Sequence, residues 1–246
     1  MKALRDVATA FSWMTVLPAH SYDDAHPVRY LPLVGWVFGL AGLGVAELAS
    51  IVVSGDVAAL FVGLVVVSVW AAGSRLLHWD GLGDTADGVW GGDTPERRLE
   101  IMHDSTMGSF GVVAICMTLM AQVLSVSAVF GSGDWWPIVA APVIGRFSAC
   151  VALWTIDPAR PEGLAATLAG GEGMGPWAIA ALTVAVVFFD GDPVHMWAGF
   201  VGIMCSVLLP HMLSRPVRGL TGDIIGASIL IVETVVLIGA ALMAGV

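Results

Sequence analysis

The residues best suited to chemistry stand in one short stretch, HWDGLGDTADGVWGG, running from His78 to Gly92. It carries Asp80, Asp84 and Asp87, and in a helix their offsets of four and seven residues put all three carboxylates on one face, where like charges repel. A hard divalent cation removes that conflict. Oxygen ligands without Cys favour Mg²⁺, with Mn²⁺ as the alternative, over zinc. The glycines of the same stretch, among them Gly81, Gly83 and Gly88, let a bulky phosphate approach the backbone. After Pro95 the sequence ERRLEIMHDS predicts a second helix with Glu100 and Asp104 at i and i+4. Arg97 and Arg98 lie one turn earlier, where guanidiniums can clamp phosphate oxygens. Metal between phosphates, a cation on the developing charge and a carboxylate base are the requirements of phosphoryl or nucleotidyl-type transfer.

Further polar residues punctuate an apolar background. Thr221, Gly222 and Asp223 precede the last apolar segment, so the amides of a helix N-terminus are available to an anion while Asp223 caps the helix. Arg215 and Arg218 flank that point and suit phosphates. Glu47, Arg146 and Glu233 fall within apolar segments, where ionisable groups are costly. Arg146 is expected to pair with one of the two glutamates, and substrate contact is its alternative role. Cys116, Cys150 and Cys205 sit in apolar runs without CxxC spacing and read as small buried hydrophobes.

The elements that must position these groups are membrane helices. Of the 246 residues, 57 % are hydrophobic and 12 % charged, about half the charge of a soluble domain. A net charge of −10 excludes a nucleic-acid partner, whose phosphates demand Lys and Arg. The composition predicts an all-α polytopic membrane bundle, one domain over residues 1–246, with lipid around it. About seven spans are expected: Tyr30 to Val53, Val57 to Leu77, Ser109 to Phe130, Trp136 to Ile156, Pro176 to Phe189, Val194 to Met212 and Ile224 to Val246, the fifth being short. Lys2 and Arg5 ahead of Val7 to Leu17 predict an N-terminal interfacial amphipathic helix. Trp135, Trp136, Trp177 and Trp197 read as an aromatic belt. Nine of the ten Lys and Arg fall on one side of this arrangement or at its edge, and the tenth is Arg146. Since Lys and Arg stay in the cytoplasm, the N-terminus and the polar loops 78–108, 157–175 and 213–223 are predicted to face the cytosol, across the cytoplasmic membrane of a bacterium or archaeon. Sequence leaves the oligomeric state open, and a homo-oligomer is compatible with it.

The D-x-x-D-G spacing of Asp84, Asp87 and Gly88, followed by a second acidic pair, partly resembles the CDP-alcohol phosphotransferases. Their motif continues with Ala-Arg, which this chain lacks, and has Asp where Glu100 stands. Four ordered motifs resemble another family more fully. HWDGLGDTADG is similar to H-L-D-G-L-A-D-T-x-D-G of the cobalamin-5′-phosphate synthases, the adenosylcobinamide-GDP ribazoletransferases. RRLEIMHDSTMGSFG, EGLA from Glu162 and GLTGDIIGA from Gly219 resemble that family's further motifs, as do Leu17-Pro18 and Pro32 with Gly35. Trp79, Gly83 and Arg218 depart from it, Arg218 standing where a second Gly often precedes T-G-D.

That resemblance implies the last assembly step of the cobalamin nucleotide loop. A hydroxyl of α-ribazole, or a phosphate oxygen of its 5′-phosphate, attacks the cobinamide-side phosphorus of adenosylcobinamide-GDP and expels GMP, with Mg²⁺. Asp80, Asp84, Asp87 and Glu100 are then the metal-ligand candidates, and Asp104 is the base by analogy with the phosphotransferase pattern. Roles within this set are exchangeable, so Asp80 is also a catalytic candidate, while His78 orients an aspartate or touches substrate. Arg97, Arg98, Arg218, Thr221, Gly222, Asp223 and Arg146 complete the substrate-binding set. A lipid-synthesising CDP-alcohol phosphotransferase is the alternative enzyme. The non-enzyme alternative is a cation transporter using Glu47 and Glu233, and the crowding of carboxylates outside the apolar segments speaks against it.

Overall fold

The structure, a computed structural model, describes residues 2–55, 57–168, 174–188 and 191–243, and all its regular elements are helical. Asp56, part of the 157–175 loop, the first residue of the Asp190–Pro193 connection and the last three residues of the expected final span lie outside the described residues.

Helix α1 (Lys2–Met14) lies at the edge of the bundle and buries one stripe, Asp6, Thr9, Ala10 and Met14, while Leu4 is left exposed. The Asp6 carboxylate accepts from the His26 amide at 2.9 Å, and the Thr9 hydroxyl accepts from the Tyr22 amide at 3.1 Å, which pins the polar linker to the helix. Next come α2 (Leu31–Val52), α3 (Ala58–Gly73), α4 (Leu77–Gly91), α5 (Pro95–Met102), α6 (Ser109–Gly131) and α7 (Trp136–Thr155). The chain closes with α8 (Leu164–Leu168), α9 (Met174–Ala185), α10 (Pro193–Ser214) and α11 (Gly222–Met243).

The core lies around α7, which is buried without interruption from Trp136 to Leu153 and packs against α2, α10 and α11. Close approach here depends on missing side chains: a Cβ on Gly35 of α2 would stand 2.4 Å from the Pro142 carbonyl oxygen. One buried ion pair crosses this core. Arg146 donates to Glu233 at 2.7 Å and to the Pro142 carbonyl at 3.1 Å, and its guanidinium lies 4.2 Å from the centre of the Phe38 ring. Glu233 is therefore the partner, while Glu47 is exposed. Arg146 is shut inside the bundle at 1 % exposure, which removes it from the groups able to touch a water-borne substrate in this conformation.

Five helical segments are long and apolar enough to cross a membrane: Val28–Val52, Ser109–Gly131, Trp136–Thr155, Pro193–Val217 and Gly222–Met243. Each of the seven expected segments is helical, but two are short. Helix α3 ends after 16 residues, and the chain then bends by 87° into α4 through Arg75 and Leu76, both at positive φ. The two count together as a sixth span by composition, yet so sharp a bend lays α4 across the end of the bundle. The 12 residues of α9 rise only about 18 Å, short of a core of about 30 Å. Trp177 nevertheless packs on Trp154 near one end of α7, while Trp136 at the other end donates to the Val187 carbonyl at 2.5 Å, so this segment follows α7 along its length. Trp136 and Trp177 thus turn inward, and of the four expected belt residues Trp135 and Trp197 remain exposed.

Candidate active site

Helix α4 carries HWDGLGDTADG on a single helix, and its glycines are where neighbouring segments press close: Asp223 backbone at Gly81, the Met107 and Ile115 side chains at Gly83, and Met102 with the Arg98 carbonyl at Gly88. A Cβ on Gly81 would meet the Asp223 carbonyl oxygen at 2.7 Å, so α4 can lie against the start of α11 only if this residue is Gly. That contact brings Thr221, Gly222 and Asp223 to the aspartates of α4. The Thr221 hydroxyl accepts from the Ile224 amide at 3.2 Å and so caps α11, a role the sequence assigns to Asp223.

Asp84 is half-buried at this junction. Burial, then the like charges of Asp223, Asp80 and Asp87, push its carboxyl up to about 7. Asp80 stays exposed. Asp87 is turned away: its two carboxylate oxygens accept from the amides of Gly108 at 2.7 Å and Gly111 at 2.9 Å, at the start of α6. A ligand role is expected of it, and its buried carboxylate holds a helix end instead of standing free. Among the described residues no three His, Cys, Asp or Glu side chains converge closely enough to hold a metal ion by themselves. Mg²⁺ needs only one or two carboxylates when waters and substrate phosphates complete its shell. The mutual repulsion at Asp84 is the kind of strain that a divalent cation relieves, so Asp80, Asp84 and Asp223 fit that group.

The second acidic pair is divided. Helix α5 starts with Thr94 accepting from the Arg97 amide at 3.2 Å and ends at Met102, so Glu100 is helical and Asp104 is not. Asp104 accepts from the hydroxyl and amide of Thr106 at 2.6 and 2.9 Å, an Asx turn that competes with another helical turn. These bonds, the hydroxyl's first, hold its carboxyl below the usual carboxylate range. Glu100 pairs with Arg97 at 2.9 Å on the surface. A cavity of about 270 Å³ joins Asp87, Arg97, Glu100 and Asp104, so these four do share a site wall. Arg98 acts as a strut, donating to the carbonyls of Gly92 at 2.9 Å and Pro216 at 3.0 Å, and the expected double clamp on phosphate is absent in this arrangement.

His78, in the first turn of α4, is buried against α11 with its Cα near Gly226, and its Nε2 has no partner among the described residues. Burial, and after it the Arg146 charge, hold its imidazole well below its ordinary value, so it is a neutral group under the site.

Arg160 is a residue that the sequence reading passed over. Segments 157–159 and 220 pair in parallel, with Leu220 donating to the Asp157 carbonyl at 2.8 Å and Ala159 to the Leu220 carbonyl at 2.9 Å. This sets Arg160 and Glu162 in a cavity of about 120 Å³ with Thr221, Gly222 and Asp223. Arg160 also donates to the Leu99 carbonyl, tying this loop to α5. The EGLA motif beside it is the signal that could have found it. Arg218, expected in that group, lines a different cavity.

A polytopic helical bundle that gathers Asp80, Asp84, Asp223, Glu162 and Arg160 at one end defines a class: membrane-embedded proteins with a charged site at the mouth of the helices. Within that class the chain belongs to the cobalamin-5-phosphate synthase family, whose model matches residues 6–241. A protein of Syntrophobacter fumaroxidans named adenosylcobinamide-GDP ribazoletransferase is 35 % identical, over 96 % of this chain and 97 % of its own length. Proteins of the same name from Ralstonia pickettii, 34 % identical over 97 % of both chains, and from Corynebacterium diphtheriae, 31 % identical over 89 % of this chain and 84 % of its own, are similar along the same extent. No solved structure matches the chain.

Proposed function

We propose that the chain is an adenosylcobinamide-GDP ribazoletransferase that joins α-ribazole, or its 5′-phosphate, to the cobinamide-side phosphorus of adenosylcobinamide-GDP and releases GMP. Membership of the family and the names of its relatives support the reaction. The observation that carries it is the seating of Gly81 on Asp223, which joins the two aspartate motifs far apart in sequence into one charged site.

Asp80, Asp84 and Asp223 would hold Mg²⁺ or Mn²⁺, which supplies a cationic bridge to a pyrophosphate. Arg160 stands in the same cavity as Asp223 and offers a guanidinium to phosphate oxygens. Gly222, at the start of α11, presents backbone to that cavity. Asp104, held in its ionised form by Thr106, is a weaker base than a free carboxylate and would orient a hydroxyl by accepting from it. The side of the bundle that holds these loops, the N-terminal helix and the bend before α4 carries nine of the chain's ten Lys and Arg, which supports a cytoplasmic site and N-terminus in a bacterial or archaeal inner membrane.

The test is purified protein with adenosylcobinamide-GDP and α-ribazole, followed for GMP release and cobalamin formation. Turnover is expected with Mg²⁺ and its loss with EDTA. Absence of GMP release under both conditions refutes the reaction, and turnover that survives EDTA refutes the metal.

A further inference from the structure

A second polar cavity, of about 320 Å³, opens beside the ends of α7 and α10. Thr155, Asp157, His211, Ser214, Arg215 and Arg218 line it. The paired segments separate it from the cavity of Thr221 to Asp223: residues before the Pro158 and Leu220 pairing line this one, and residues from that pairing onward line the other. We propose that this cavity is a second phosphate site, holding a phosphate ester through the Arg215 and Arg218 guanidiniums and the Ser214 hydroxyl.

Ser214 is 4 % exposed, yet its Oγ has no hydrogen-bond partner among the described residues. A buried hydroxyl in that state is costly until something bonds to it. Neither Arg215 nor Arg218 has a side-chain hydrogen bond or ion pair among the described residues, and both are exposed. One tight turn issues all three groups, closed by the Arg218 amide donating to the Arg215 carbonyl and the Gly219 amide to the Ser214 carbonyl, each at 3.2 Å. Arg218 holds this turn at φ +59, a conformation that suits glycine, so the chain accepts backbone strain to keep a guanidinium there. Two forked cations and a hydroxyl donor complement the oxygens of a phosphate.

Asp157 refines the ligand class. Its carboxylate on the same wall repels a bare phosphate and accepts hydrogen bonds from hydroxyls, which favours an ester that carries a diol. A nucleoside monophosphate and the headgroup of a glycerol-bearing anionic lipid both have that chemistry. His211 faces the Val207 carbonyl at 2.8 Å through Nδ1 and the Thr155 hydroxyl at 3.2 Å through Nε2, so it forms wall and not ligand.

The assignment is independent of the reaction proposed above, and the test keeps it so by working in EDTA, where a metal-bridged phosphate cannot bind. The full chain is placed in phosphatidylcholine nanodiscs and titrated with GMP. In a second arm it is purified from mixed phosphatidylglycerol and phosphatidylcholine discs, and retained lipid is counted by native mass spectrometry. Arg218→Gly removes the charge and relieves the positive φ, so this variant should fold at least as well as the parent, and Arg215→Gln is the second probe. Loss of one forked charge pair should weaken occupancy about tenfold. A loss in the GMP arm identifies a free nucleotide, and a loss in the lipid arm identifies a headgroup. Binding of both ligands that is absent, or that changes by less than about threefold in both variants, overturns the proposal.

Discussion

Asp84 and Asp87 lie one helical turn apart and look equivalent by spacing, yet the same substitution should move them in opposite directions. In Asp87→Asn one carboxylate oxygen becomes an amide nitrogen that faces a backbone N–H, so one of the two bonds to Gly108 and Gly111 is lost inside a buried site. A hydrogen bond to a charged group contributes about 1.5–3 kcal/mol. For a chain of this size each kcal/mol moves the melting temperature by about 2–4 °C, so Asp87→Asn should melt roughly 3–12 °C lower. Asp84 has the reverse sign. Its folded pKa of about 7 exceeds the ordinary 3.8, so the native state binds more protons than the unfolded chain between those values and stability falls as pH rises through that window. At pH 8 the penalty is complete, and because Asp84 is only half-buried, solvent screening reduces it to about 1 kcal/mol. Asp84→Asn in EDTA should therefore melt about 2–4 °C higher at pH 8 and lose the Asp84 share of the fall in stability that wild type shows between about pH 4 and pH 7. Tryptophan fluorescence melts in detergent read both changes, and GMP release should collapse in each variant. An Asp84→Asn protein that melts below wild type at pH 8, or an Asp87→Asn protein that melts with it, would refute the assignment of a strained ligand and a structural brace.

Arg146→Ala or Glu233→Ala leaves a buried charge unpaired and should cost about 3–5 kcal/mol, whereas the double change to Met and Leu should recover most of that, as thermal melts of the three proteins will read. Gly81→Ala drives a Cβ into the Asp223 backbone, so transferase activity should fall by at least about tenfold, and a variant with wild-type turnover would disprove the need for this contact. If the loops face the cytosol, a cysteine at Asp93 should resist an impermeant thiol reagent in intact cells and one at Ser132 should react, and the opposite labelling would invert the bundle.

The helical class and the four motifs were legible because they depend on apolar length and on local spacing. The Arg146 ion pair was legible in part: an arginine in an apolar span needs a carboxylate, but the choice of Glu233 over Glu47 follows from α11 packing on α7. Spacing also put Asp84 and Asp87 on one helix correctly. It could not reveal that Asp87 is occupied by amides 21 and 24 residues further on, because the start of α6 sets that demand. Arg98 is similar, since its acceptors include a carbonyl 118 residues away. Asp104 left the predicted helix for a local reason, the side-chain competition of Asp and Thr two residues apart. Arg160 was hidden because a bridge of a few residues has no periodicity to read.

The seating of Gly81 on Asp223 also bears on how the protein is made. Helix α4 leaves the ribosome about 140 residues before Asp223, so during most of synthesis its aspartates lack the helix that completes their site. In an unfinished or truncated chain the aspartates of α4 stand without Asp223, so the proposed site is incomplete until the last helix has been made.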